Sequence, residues 1–99
     1  MARRWLFSAA KSSHHPAQER FDASREVLQL TQRLDTERDM LATWERRLAL
    51  RQQWEHDHPG PTQLPELRQV CAQTQLSIQC LERDLLQART RLRLLEVLG

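Results

Sequence analysis

Residues 64–95, LPELRQVCAQTQLSIQCLERDLLQARTRLRLL, carry Leu64, Leu67, Cys71, Thr74, Ile78, Leu81, Leu85, Ala88, Leu92 and Leu95 at intervals that alternate three and four. That is the a/d repeat by which one helix closes a stripe of side chains against another. A strand would alternate with period two, and no such run occurs here. The segment therefore reads as a long helix with a continuous seam, and a seam requires a partner.

The partner is found upstream. Val27, Leu30, Leu34, Glu37, Leu41, Trp44, Leu48 and Arg51 follow the same three-four spacing, with Glu37 and Arg51 as the charged members. Pro16 suits a first helical position, and Glu19 and Asp22 sit near the positive end of the helix that follows. Between the two seams stands His58-Pro59-Gly60-Pro61. Proline has no N–H to donate and clashes with the preceding turn, so the first helix must stop there. Thr62 can cap a second helix, with Pro65 and Glu66 in its tolerant first turn. At ~1.5 Å rise per residue both helices run about 55–60 Å, so their lengths match across the turn. Two matched stripes joined by a short loop make an antiparallel pair.

The expected fold is all-α: two long helices forming an antiparallel coiled-coil hairpin, completed by partner helices. Its parts are a basic segment over 1–15, helix 1 over 16–57, a Pro/Gly turn over 58–62 and helix 2 over 63–98. With the pivot near Gly60, Trp44 should lie over Thr74 and Ile78, the small Thr making room for the indole.

Composition agrees. The 99 residues include two Gly and four Pro, too few for the turns of a many-stranded sheet, and no Tyr. Leu, Arg, Gln and Glu dominate, which is a helix-forming alphabet. The 15 basic residues include a single lysine, Lys11, against 13 acids, for a net charge of +2. Arg3, Arg4 and Lys11 precede the first acid, Glu19, so the body is close to neutral with its signs interspersed. Phosphate backbones call for a one-sided basic stripe, and this distribution speaks against nucleic acid.

The first fifteen residues, MARRWLFSAAKSSHH, combine Arg, Ser and Ala with the apolar Trp5-Leu6-Phe7 and lack acids. This is the composition of a mitochondrial transit peptide, so the expected address is the mitochondrion, with the cytoplasm as the alternative. No stretch approaches the ~20 apolar residues that span a bilayer, and no transmembrane span is expected.

A two-helix hairpin needs only its seams. Yet Leu28, Met40, Leu50 and Trp54 on the first helix, and Leu86, Leu94, Val97 and Leu98 on the second, fall outside them. Large apolar groups at this density off the seam mark an interface. The expected cover is partner helices from other protein subunits, in a hetero-oligomer or, alternatively, a homodimer. Fold-back of the Trp5-Leu6-Phe7 segment is the competing explanation.

Candidate chemistry is sparse. Cys71 and Cys80 are nine residues apart, on opposite faces of one helix and ~13 Å apart along it, too far for a disulfide. Cys71 reads as a small seam residue. His14-His15 and His56-x-His58 could share a metal only if opposite ends of the first helix met. Arg89, Arg91 and Arg93 point in different directions, which suits stems lying over apolar surface better than a phosphate clamp. There is no glycine-rich phosphate loop, nucleophile elbow or HExxH. No catalytic residue, cofactor or metal is expected.

The function expected is that of a non-enzymatic structural or assembly subunit of a multi-protein complex, binding partner helices through its leucine-rich hairpin. The alternatives are a soluble coiled-coil adaptor or secretion-type chaperone that binds a client, and, third, a nucleic-acid-binding hairpin.

Overall fold

The computed structural model describes residues 16–98. The basic segment, with Trp5-Leu6-Phe7 and His14-His15, lies outside the described residues. The chain forms two helices, α1 over Pro16–Asp57 (42 residues) and α2 over Leu64–Leu98 (35 residues), packed on each other as an elongated antiparallel hairpin. No described helix is long and apolar enough to cross a membrane.

The ends of the helices follow from local chemistry. Pro16 opens α1, Glu19 lies in its first turn, where a carboxylate complements the helix dipole, and His56 lies in its last. The connection runs from residue 58 to residue 63, and α2 begins at Leu64, one residue later than the sequence pattern suggests. Leu67 N–H donates to the Gln63 carbonyl at 3.1 Å, and Leu64 N–H donates to Thr62 Oγ1 at 3.0 Å. Thr62 thereby satisfies one of the amides that a helix start leaves without a partner. Gly60 adopts φ 153°, a conformation open to glycine and strained for other residues.

The core is one narrow line. Leu34, Ile78, Leu81 and Leu85 form its centre, and Val27, Leu30 and Leu41 pack against it half-buried. All ten seam positions of α2 turn inward: Cys71, Thr74, Ile78, Leu81, Leu85 and Ala88 are buried, and Leu64, Leu67, Leu92 and Leu95 are half-buried. On α1 only Ala23 and Leu34 are buried, while Val27, Leu30, Leu41, Trp44 and Leu48 are half-buried. A single facing helix cannot cover the flanks of large side chains, so only small or central residues escape solvent. Thr74 tolerates burial because its hydroxyl donates to the Val70 carbonyl at 2.8 Å.

Two ion pairs cross the hairpin on its outer edges. Arg38 donates to Glu82 at 3.0 Å, and Arg91 donates to Glu26. The four side chains are about half exposed, so each bridge contributes on the order of 0–1 kcal/mol. Burial along the seam holds the hairpin, and the bridges favour its register.

Candidate interaction surface

Along the seam, apolar side chains answer one another. Outside it, Leu28, Met40, Leu50, Trp54, Leu86, Leu94, Val97 and Leu98 all stand in solvent, from 43% exposed at Met40 to 81% at Leu98. Phe21 and Leu76 join them, each 60% exposed, and neither was singled out by the sequence pattern. Both could have been found by assigning a repeat position to every apolar residue, since each lies off the seam.

These residues are not spread evenly. Leu94, Val97 and Leu98 occupy the last two turns of α2 at the open end of the hairpin. At the other end, Leu50 and Trp54 flank the turn. Trp54 stacks on His58 with ring centroids 4.2 Å apart and planes 3° from parallel, and the Arg51 guanidinium lies 4.2 Å from the indole centre. His58 Nδ1–H donates to the Trp54 carbonyl at 2.8 Å, which ties the ring to the last turn of α1. Arg47 lies in the same way over Trp44, at 5.0 Å. Both indoles thus carry a cationic cover, an arrangement worth about 0.5–1 kcal/mol at exposed sites.

Beneath Trp54 the loopward end of the seam becomes polar. Glu55 continues the repeat seven residues after Leu48, yet it turns its carboxylate into the connection. It accepts hydrogen bonds from the Thr62 hydroxyl, from Gln63 N–H at 3.0 Å and from Arg51 Nε at 2.7 Å. These donors, Thr62 first, hold its pKa down to about 2 from the ordinary 4.5. The side chain is 11% exposed. Glu55 therefore ties the end of α1 to the start of α2, a role hidden in the sequence because nothing in a helical Glu-x-x-x pattern marks it.

The surface has shallow grooves. One, of ≈ 680 Å³, lies at the open end between α1 and α2, where Asp22, Ala23, Glu26, Arg91 and Leu95 line it. A second, ≈ 330 Å³, runs from Arg51 and Trp54 across Pro59-Gly60-Pro61 to Gln63. Charged groups line both, and the Arg91 and Arg51 guanidinia are engaged by Glu26 and Glu55. Cys71 is buried and Cys80 exposed, with Arg83 donating to its sulfur at 3.5 Å. His56 and His58 stand at the turn, and among the described residues no three His, Cys, Asp or Glu side chains are grouped to hold a metal ion.

What this geometry offers chemically is apolar surface on a rigid rod, with a polar clamp at one end. Comparison with protein families, curated proteins and solved structures found no match.

Proposed function

We propose that this protein is a non-enzymatic structural or assembly subunit that packs its hairpin against helices of other proteins. The observation that carries this reading is the apolar end of α2, where Leu94, Val97 and Leu98 are 55%, 75% and 81% exposed. Solvent-facing leucines and valines in adjacent turns contribute little within the hairpin, whereas burying the part of each that stands in solvent against a partner adds up to about 1.5–3 kcal/mol. Elongation supports the same reading. The chain exposes 8002 Å², whereas a compact monomer of 11.7 kDa exposes about 5,900 Å². A one-line core with this much surface gains from further helices laid alongside it. The mitochondrion is the proposed address, on the composition of residues 1–15.

The test is affinity purification of the tagged full-length chain from its own cells, with mass spectrometry of what accompanies it. A stoichiometric set of partners, lost in the Leu94→Glu/Val97→Glu variant while helicity is retained, is the expected result. Recovery of the wild-type chain alone would refute the subunit reading and favour the client-binding adaptor.

A further inference from the structure

Leu94, Val97 and Leu98 are spaced i, i+3, i+4, so they share one face of α2, and they are 55%, 75% and 81% exposed. The start of α1 lies beside them, since Glu19, Asp22 and Ala23 line one groove together with Leu95. A chain that enters α1 at Pro16 therefore arrives next to this apolar face.

The segment that enters there has matching chemistry. Residues 1–15 lie outside the described residues, and their sequence holds one cluster of large apolar residues, Trp5-Leu6-Phe7, nine residues from Phe7 to Pro16. At ~3.3–3.6 Å per residue, that linker reaches about 30 Å. Packed helices are ~8–10 Å apart and the step from Leu94 to Leu98 is about 6 Å, so the cluster arrives with slack. Met40, Leu50 and Trp54 are out of range, because the nearest of them lies about 36 Å along α1 from Pro16. Phe21, Leu28 and Leu86 are nearer, but none has a second large apolar residue three or four positions away on its helix. Only the end of α2 offers three such side chains to three.

We propose that Trp5-Leu6-Phe7 folds back onto Leu94, Val97 and Leu98 of the same chain and closes this face until a partner helix displaces it. This rests on the reading of the three residues as an interface, and adds how that interface is regulated. Charge agrees with it. Residues 1–15 carry Arg3, Arg4 and Lys11 and no acid, while the groove beside the face has the carboxylates of Glu19, Asp22 and Glu26 against the guanidinia of Arg25 and Arg91.

The tether lets a weak contact suffice. A short flexible linker sets an effective concentration in the millimolar range, so a contact with an intrinsic dissociation constant of ~0.1 mM is closed about 90% of the time. Closure to that extent lowers the apparent affinity of a competing partner about tenfold.

Trypsin cuts after arginine, and it reaches the Arg4–Trp5 bond only while Trp5 is released, so the cleavage rate follows the open fraction. In the purified full-length chain this bond should be cut about tenfold more slowly than in Leu94→Gln/Val97→Gln/Leu98→Gln. These substitutions alter exposed positions and add no charge that would attract Arg3 or Arg4, and circular dichroism checks that the helices persist. In a Trp44→Phe/Trp54→Phe background Trp5 is the sole tryptophan, and its fluorescence emission should move to the red when the three glutamines are introduced. Equal cleavage rates with unchanged emission would overturn the proposal. So would protection that grows with protein concentration, which would place the segment on a second copy. Both readouts use the purified chain without partners, so failure of closure leaves the subunit reading to its own purification experiment, and failure of that reading leaves closure measurable.

Discussion

Leu85 and Leu86 are adjacent leucines in one helix, 5% and 65% exposed, and they should respond very differently to the same substitution. Leu→Ala removes the same atoms and changes helix propensity equally at both sites, so the difference between the two variants isolates burial. In compact cores Leu→Ala costs about 2–5 kcal/mol, the larger values coming from cavities that stay closed. Here the seam is one residue deep, and the space left by Leu85 next to Leu34, Ile78 and Leu81 opens readily to solvent. The loss at Leu85 should therefore be near the lower end, about 2–3 kcal/mol. At Leu86 about a third of the side chain is covered, which scales the ~1.5–3 kcal/mol of full burial to below about 1 kcal/mol. A domain of this length has on the order of 5–10 kcal/mol in total, so the Leu85 variant should lose a large share of its stability. Urea unfolding followed by far-UV circular dichroism, at low concentration so that association does not contribute, gives both values from the midpoint and slope. Equal losses within about 0.5 kcal/mol would refute the assignment of one leucine to the core and the other to the surface.

The turn supports two further predictions. Because the folded-state pKa of Glu55, about 2, lies below the ordinary 4.5, the native hairpin binds this proton less tightly than the unfolded chain. Its contribution is therefore full above the unfolded value and is lost as pH falls from there toward about 2. Glu55→Gln should flatten that part of the acid limb of a stability profile, and profiles that stay parallel across it would remove the clamp from the account. At Gly60 a methyl group would meet no atom within 4 Å, but the φ of 153° remains costly for any side chain. Gly60→Ala should lower stability by about 1–3 kcal/mol through backbone strain alone, measured by the same urea titration, and a neutral result would show that the turn relaxes freely.

The sequence by itself determined two helices, the break between them and the faces they present to each other. Helical periodicity is a one-dimensional signal: Leu34, Ile78, Leu81 and Leu85 are spaced to meet, and Pro59 leaves the chain no way to continue straight. The off-seam set from Leu28 to Leu98 was legible for the same reason, as was its exposure in a molecule of two helices. Ala23 was passed over although it continues the α1 repeat seven residues before Leu30, because a small side chain gives a weak apolar signal. Tertiary structure alone decided how deeply each seam position is buried, and why α2 is covered better than the longer α1. It also decided that Arg38 pairs with Glu82 across the hairpin, and that Glu55 leaves the solvated helix surface to join Thr62, Gln63 and Arg51. Those contacts depend on where two distant stretches of chain stop relative to each other, and spacing along either helix carries no record of that.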